Sequence, residues 1–281
     1  MTLDSPFQSP VRRAGERQMA GSLVPTSWGA VLQEDGRARF RLWAPGQAKV
    51  LLELDARPDP LTMHAVEDGW HEVVTDRAAA GTLYRFLLAD GTYVPDPASR
   101  HQPEGVHGPS EVIDPSRYAW TDVDWIGRPW EEAVIYELHI GTFTPEGTFR
   151  AAIGHLDHLV DLGVTAIQLM PVADFAGARN WGYDGVLLYA PATAYGRPDD
   201  LRDLVDAAHA RGLMVFLDVV YNHFGPDGNY IGAYARDFFT KRHKTPWGDA
   251  INYDGGQSRP VRDFMIENAL YWLREFHVDG Q

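Results

Sequence analysis

Residues 213–223, LMVFLDVVYNH, form the stretch on which the fold depends. The segment begins with five apolar residues and then turns polar at Asp218, Asn222 and His223. A short apolar run of this kind predicts a strand that is buried on both faces, as in a parallel sheet covered by helices. A buried strand that ends in an acid, an amide and an imidazole is typical of a sugar site. The same stretch therefore predicts where the functional side chains lie.

An alternation of strands and helices surrounds this stretch. Apolar runs at residues 133–138 and 164–170 predict two further strands, and amphipathic helices are expected between and after the strands. The pattern fits a doubly wound sheet and a (β/α)8 TIM barrel equally well. Long polar loops after the second and third strands, with single glycines at the helix-to-strand joints, favour the barrel. The candidate inward-facing helix residues are Phe149, Ile153, Leu156, Val160, Leu201, Leu204, Val205, Ala208, Phe264, Leu270 and Leu273.

The first part of the chain has the period of two that is typical of strands. Ala38, Phe40 and Leu42 alternate with arginines, and Asp-Gly dipeptides at residues 35–36, 68–69 and 90–91 predict hairpin turns. Residues 22–96 are therefore predicted to form an antiparallel β-sandwich that resembles a carbohydrate-binding module. Three of its tryptophans either offer a glycan-binding surface or, as we favour, pack in the core and between domains: Trp28, Trp43 and Trp70.

The remaining segments complete the predicted domain organisation. Residues 1–21 are expected to form a disordered tail. Residues 97–130 are rich in proline and predict an ordered connector. Residues 131–281 are predicted to form an incomplete barrel of three strand–helix units. The fold class is thus α/β with an all-β N-terminal domain.

Composition limits the possible partners. The chain has 25 basic and 39 acidic side chains among 281 residues, so its net charge is −14. This charge argues against nucleic acid and anionic membranes as partners and fits a neutral ligand. No apolar run approaches the ~18 residues that a membrane span needs. The absence of cysteine is compatible with the cytoplasm, where we expect the protein to lie.

Two more segments carry candidate site residues. The sequence NWGYDG at residues 180–185 follows the second strand, and its aromatic side chains either offer a flat face to a sugar ring or anchor a turn. The sequence KTPWGD at residues 244–249 follows the third strand, and its Trp247 either lines an outer subsite or orders the loop.

Several segments together resemble the α-amylase superfamily, family 13 of the glycoside hydrolases. Residues 218–223 resemble its first signature segment, and residues 276–280, FHVDG, resemble the opening of its second. WGYD at residues 181–184 resembles the aromatic loop of the glucosyl site in its branching-enzyme-like members. RFRLWAP at residues 39–45 resembles their N-terminal sandwich. Within the superfamily, residues 136–149, 222–230 and 245–249 are similar to the N-terminal portion of the maltooligosyltrehalose trehalohydrolases.

The resemblance implies a glycosidase of trehalose biosynthesis. It would cleave the α-1,4 bond next to the terminal trehalose of maltooligosyltrehalose with retention of configuration, and its ligands would be maltooligosyltrehalose, maltooligosaccharides and trehalose. No cofactor or metal is implied. By position, Tyr183 would stack on the ring being cleaved, Asp218 and His223 would bind its hydroxyls, and Trp247 would add a further contact. Structural roles near the site would fall to Asn222, Trp181 and Asp184.

The catalytic carboxylates of the family are not expected within the chain. Its nucleophile lies five residues beyond the position matched by Asp279, so we expect nucleophile and acid beyond Gln281. The 281-residue chain alone is then expected to be inactive, to be part of a longer enzyme, and to expose the hydrophobic edge of its third strand. Two alternatives remain open: a 1,4-α-glucan branching transferase, and a non-catalytic α-glucan-binding fragment.

Overall fold

The computed structural model describes residues 26–55 and 59–281 of the chain. The predicted tail at residues 1–21 and a few residues of the predicted sandwich lie outside this range. The strands before residue 130 are β1 (Val31–Leu32), β2 (Ala38–Trp43), β3 (Val50–Leu54), β4 (Leu61–Thr62), β5 (His64–Ala65), β6 (Trp70–Thr75), β7 (Leu83–Leu88), β8 (Tyr93–Val94) and β9 (Ser110–Glu111).

These strands form two antiparallel sheets that face each other. One sheet has the order β1-β2-β6-β5, and the other has the order β4-β3-β7-β8 with β9 also paired to β7. The three Asp-Gly dipeptides connect β1 to β2, β5 to β6 and β7 to β8, and each of these pairs is antiparallel. Ala38, Phe40 and Leu42 are fully buried between the sheets. The predicted β-sandwich is therefore present.

The three tryptophans of the sandwich are buried, as we favoured. Trp28 lies edge-on to Trp70, with ring centroids 4.6 Å apart, and edge-on to Phe264, 4.8 Å away in the last helix of the chain. Trp43 is fully buried. These rings join the sandwich to the second part of the chain and leave no face for a glycan.

The second part alternates strands and helices. Its strands are β10 (Ile135–Leu138), β11 (Ala166–Leu169), β12 (Ala173–Asp174), β13 (Leu187–Pro191), β14 (Met214–Leu217), β15 (Phe239–Thr245) and β16 (Gly248–Ile251). Its helices are α1 (Ile140–Phe143), α2 (Phe149–Ile153), α3 (Leu156–Asp161), α4 (Pro198–His209), α5 (Ile231–Tyr234) and α6 (Ser258–Glu275). No helix in the described ranges is both long and apolar enough to cross a bilayer.

The strand order decides between the two predicted α/β architectures. β10, β11 and β14 are parallel neighbours in chain order, and Phe216 of β14 makes a parallel bridge to Gly280. The chain after α6 thus returns beside the third strand and runs in the same direction. A doubly wound sheet of the dinucleotide-binding type would place it beside the first strand instead. The order is that of a (β/α)8 barrel.

The first predicted helix is divided. Thr148 caps α2 as expected, because its hydroxyl oxygen accepts a hydrogen bond from the amide of Ala151. The helix is interrupted at residues 154–155, and α3 then buries Leu156 and Leu159. Val160, which we expected to face inward, is 38% exposed, because the interruption changes which residues of α3 face the sheet. In α4, by contrast, the four predicted residues are all buried.

The last helix, α6, also has an inner face that differs from the predicted one. Phe264 is buried as predicted, but Leu273 is 41% exposed, so its assignment was wrong. The buried positions 261, 264, 265, 268 and 272 follow the helical spacing and place Asn268 and Trp272 on the inner face. Leu270 is intermediate in exposure.

Residues 97–130, predicted as an ordered connector, pack against the sandwich. Within them, β9 pairs with β7 of the sandwich, and Ser99, His101 and Gln102 are buried.

The exposed edge of the parallel sheet is not at the third strand, β14, where we expected it. β14 is mostly buried, whereas Ile135 and Tyr136 of β10 are 41% and 39% exposed. No strand within residues 26–55 and 59–281 pairs with the outer side of β10.

Candidate functional site

A cleft of about 340 Å³ lies at the carboxyl ends of β11 and β14. Parallel strands end at the same edge, so loops that are distant in sequence meet there. One wall comes from the loop after β12, one from the residues that follow β14, and one from the turn between β15 and β16. The lining residues are Tyr183, Asp184, Asp218, Val219, Val220, Asn222, His223 and Trp247.

The cleft therefore brings together all four predicted substrate-binding residues. Of the three predicted structural residues, Asn222 and Asp184 line the cleft, whereas Trp181 is 79% exposed and is not among the described lining residues. The roles proposed for these side chains remain predictions.

Tyr183 and Asp218 are hydrogen-bonded to each other. The phenol of Tyr183 donates to Oδ2 of Asp218 at 3.0 Å. Burial and this hydrogen bond raise the pKa of Tyr183, so the phenol remains the donor. The tyrosine ring is 39% exposed, which leaves part of it open to a ligand. The pair combines an accessible aromatic ring with a fixed carboxylate, which is the chemistry needed to stack on a sugar and bind its hydroxyls.

His223 is held by its neighbours on three sides. Its Nε2 donates to the backbone carbonyl of Tyr183 at 2.9 Å, and its Nδ1 lies 3.1 Å from Oδ1 of Asn222. The indole of Trp247 stacks on the imidazole, with ring centroids 4.9 Å apart and planes inclined by 20°. Trp247 therefore lines the cleft and packs on His223, while its predicted role at an outer subsite stays a prediction.

Two glycines allow the loops to approach so closely. A Cβ atom on Gly182 would lie 2.4 Å from the carbonyl oxygen of Pro171, and its φ of +101° is one that other residues rarely adopt. A Cβ atom on Gly225 would lie 2.1 Å from the carbonyl oxygen of Asp184. Both loops therefore require glycine at these positions.

Asp279 lies away from the cleft in a buried cluster. Its Oδ2 is 3.0 Å from Nε2 of His209 and also accepts the amide of Val215, and its Oδ1 accepts the indole N–H of Trp125. Asp122 lies 2.9 Å from the other ring nitrogen of His209. These bonds give Asp279 a structural role and agree with the expectation that it is not the nucleophile.

The same cluster has shifted pKa values. Burial opposes the charged form of His209, but its hydrogen bonds to Asp122 and Asp279 prevail and raise its pKa above the ordinary value. Burial alone would raise the pKa of Asp122, but hydrogen bonds from His209 and His277 lower it. The two carboxylates thus favour the protonated form of the imidazole between them.

Sequence reasoning missed one residue that supports the cleft, His139. His139 ends the first strand of the barrel part, and its Nε2 lies 2.6 Å from the carbonyl oxygen of Asn180, at the start of the aromatic loop. The signal was a polar side chain at the carboxyl end of β10, the same kind of position that drew attention to Asp218.

Comparison with known proteins agrees with this arrangement. The family described as the α-amylase catalytic domain matches residues 112–280. The chain belongs to the α-amylase family. The barrel expected from the loops and supported by the strand order is therefore the first part of an α-amylase (β/α)8 barrel, preceded by a β-sandwich.

Curated relatives in the α-amylase family include trehalohydrolases and a branching enzyme. The chain is 50% identical over 254 residues to a malto-oligosyltrehalose trehalohydrolase of Saccharolobus solfataricus, covering 90% of this chain and 45% of the relative. A 1,4-α-glucan branching enzyme of Corynebacterium jeikeium is 33% identical over 88% of this chain and 37% of the relative. The predicted resemblance to the trehalohydrolases is confirmed, and the chain spans less than half the length of these relatives.

Solved α-amylase-like structures have the same fold. A putative α-amylase from Salmonella typhimurium is 55% identical with a TM-score of 0.87, over 91% of this chain and 43% of that one. A pullulanase from Paenibacillus barengoltzii, solved with maltohexaose and α-cyclodextrin, is 26% identical with a TM-score of 0.77, over 90% of this chain and 47% of that one.

Proposed function

We propose that the protein to which this chain belongs is a glycoside hydrolase that releases trehalose from maltooligosyltrehalose. The observation that carries the proposal is the 50% identity to a trehalohydrolase, against 33% to a branching enzyme over a similar share of the chain. Maltooligosaccharides and trehalose are the accompanying ligands, and trehalose biosynthesis is the process it would serve. The cytoplasmic location stays a prediction.

In this proposal the cleft holds the sugar ring at the bond to be cleaved. The accessible face of Tyr183 stacks on the ring, and the carboxylate of Asp218 accepts hydrogen bonds from its hydroxyls. His223 donates through Nε2, sharing that hydrogen between a sugar oxygen and the Tyr183 carbonyl. Trp247, stacked behind His223, borders the next sugar along the chain.

Bond cleavage requires two further carboxyl groups. A retaining glycosidase uses a nucleophile and an acid that lie about 5–5.5 Å apart and passes through an oxocarbenium-like transition state. The cleft contains Asp184 and Asp218, but Asp184 accepts a hydrogen bond from Asn180 and Asp218 accepts one from Tyr183. In this proposal both serve binding and support, and the nucleophile and acid are other residues of the whole protein.

The test is incubation of the whole protein with maltooligosyltrehalose and, separately, with amylose. The proposal expects free trehalose from the first substrate. New α-1,6 branches in amylose without trehalose release would contradict it and favour the branching transferase. The 281-residue chain should bind maltooligosaccharide without turnover. Turnover by that chain alone would refute the placement of the catalytic carboxylates.

A further inference from the structure

His139 is held in one orientation at the carboxyl end of β10. Its Nε2 lies 2.6 Å from the carbonyl oxygen of Asn180, and its Nδ1 lies 3.2 Å from the hydroxyl of Thr142. A carbonyl oxygen only accepts, so Nε2 must carry the hydrogen and donate it. The Thr142 hydroxyl can then donate to Nδ1. The hydroxyl of Tyr195 donates to the same Asn180 carbonyl at 3.3 Å, a longer and weaker bond.

Asn180 in turn organises the aromatic loop. Its Oδ1 accepts the amide of Gly182 at 2.7 Å and lies 3.4 Å from the amide of Asp184. Its Nδ2 donates to the carboxylate of Asp184 at 3.1 Å. Residues 179–186 contain no helix or strand, so side-chain hydrogen bonds hold the start of this loop, while backbone bonds of Gly185 and Val186 hold its end. The orientation of Asn180 therefore determines that of the residues that follow it.

The loop is thus held at both ends. His139 holds Asn180, while Asp218 and His223 bind the phenol and the carbonyl of Tyr183. His139 is not among the described residues that line the cleft, and its bond to the Asn180 carbonyl connects it to the cleft through the loop.

We propose that His139 is a positioning residue that holds the Asn180–Asp184 loop so that Tyr183 meets Asp218 and presents its ring to the sugar. The inference rests on the proposed function of the cleft as a sugar site. It predicts a local effect: loss of the Nε2 donor leaves the backbone carbonyl of Asn180 with only the 3.3 Å bond from Tyr195, and the loop samples positions in which Tyr183 is displaced.

Two substitutions separate the hydrogen bond from the packing. His139→Phe keeps a planar ring of similar size against Tyr195, whose ring centroid is 5.8 Å away, but removes the donor. His139→Gln restores an N–H group that can reach the Asn180 carbonyl. His101→Phe is the matched control, because His101 is a buried imidazole that bonds to Glu111 at 2.6 Å outside the loop.

The experiment measures amide hydrogen exchange of residues 180–185 without sugar, and maltohexaose affinity, in each variant. For His139→Phe we expect exchange in the loop to rise about tenfold or more, affinity to fall by a similar factor, and exchange elsewhere to be unchanged. His139→Gln should return both quantities to within about threefold of the original protein. His101→Phe should leave both unaltered, whatever it does to the melting temperature.

Each contrary result has a definite meaning. Unchanged loop exchange in His139→Phe overturns the inference, and so does a uniform rise across β10, β11 and β14, which would show a general structural role. A protein that binds no maltohexaose contradicts the proposed function of the cleft. The exchange measurement without sugar would still decide whether His139 positions the loop.

Discussion

The phenol of Tyr183 donates a hydrogen bond of 3.0 Å to Oδ2 of Asp218, across 35 residues of sequence. The two residues belong to loops that follow different strands, and they meet because parallel strands end at the same edge of the barrel. This bond links an aromatic platform to a carboxylate, so removing it tests the cleft directly.

Replacement of Tyr183 by Phe should weaken sugar binding while preserving the ring. One hydrogen bond in a partly exposed cleft contributes about 1 kcal/mol, which corresponds to roughly a fivefold rise in the Kd for maltohexaose. Calorimetric titration measures this value. Tyr93→Phe is the control, because Tyr93 is 40% exposed, almost the same as Tyr183, but lies on the sandwich. Equal affinities of the two variants would show that the hydrogen bond from Tyr183 to Asp218 does not contribute to sugar binding.

Replacement of Trp247 by Ala should also weaken binding, because it removes the ring that stacks on His223. An aromatic contact of this kind contributes about 0.5–1.5 kcal/mol, so we expect the Kd for maltohexaose to rise roughly threefold to tenfold. Trp181→Ala serves as control, since Trp181 is the more exposed of the two, at 79% against 63%. A larger effect from Trp181 would reverse the assignment of the two tryptophans.

Replacement of His223 by Ala in the whole protein should lower kcat more than it raises KM. The proposed hydrogen bond strengthens as charge develops on the ring, so its loss raises the barrier of the chemical step, and we expect kcat to fall by about tenfold or more. Steady-state kinetics with maltooligosyltrehalose measure the changes in kcat and KM separately. His243→Ala, on the exposed face of β15, is the control. A kcat equal to that of the original protein would exclude the transition-state role.

Asp174 makes the fold less stable as pH rises. It is 3% exposed, its Oδ2 has no hydrogen-bond partner among residues 26–55 and 59–281, and burial raises its pKa to about 7. A folded-state pKa above the ordinary 3.8 means that the protonated form is favoured on folding. Stability from this group is therefore greatest below pH 3.8 and declines as pH rises through about 7.

Replacement of Asp174 by Asn should accordingly raise stability at high pH. We expect the free energy of unfolding to be about 1–3 kcal/mol higher in the variant at pH ~8, and this difference should disappear toward pH ~4. Urea unfolding across this range provides the measurement, with Asp161→Asn, at an exposed position of α3, as control. A gain that is independent of pH would show that ionisation of Asp174 is not its cause.

Replacement of His209 by Leu should destabilise the fold strongly, because it leaves Asp122 and Asp279 without the cation between them. The His209 side chain is 0% exposed, and breaking a buried ion pair costs about 3–5 kcal/mol. Its raised pKa sets the sign: the stabilisation is complete below the ordinary pKa of 6.5 and is lost as pH rises through the folded-state pKa. At the acid end, the contribution of Asp122, whose pKa is lowered in the fold, is complete above the ordinary pKa of 3.8 and is lost as pH falls from there through the folded-state pKa.

The measurement for His209→Leu is again unfolding by urea, here between pH ~5 and ~9. The difference in unfolding free energy between the original protein and the variant should become smaller as pH rises. His158→Leu, at an exposed position of α3, should change stability by less than about 0.5 kcal/mol. A deficit that stays constant or grows with pH would contradict a charged His209.

Local patterns predicted most of the elements correctly. The alternation around Phe40 and the Asp-Gly turns identified the sandwich, because they depend only on neighbouring residues. Predictions of the inner face of a helix failed at two positions, in α3 and α6. Val160 and Leu273 fit the period of a continuous helix, but the interruption after α2 and the packing of α6 turned other residues inward.

The sequence by itself determined the family, the β-sandwich and the alternation of strands and helices that follows it, because each depends on short contiguous patterns. It also identified the four residues that meet in the cleft, which belong to residues 181–184, 218–223 and 245–249. Only the tertiary structure decided how those patterns act together. The Tyr183 bond to Asp218, the stack of Trp247 on His223 and the hold of His139 on Asn180 join residues distant in sequence. Such contacts depend on which strand ends become neighbours when the sheet assembles, and no local period or spacing records that.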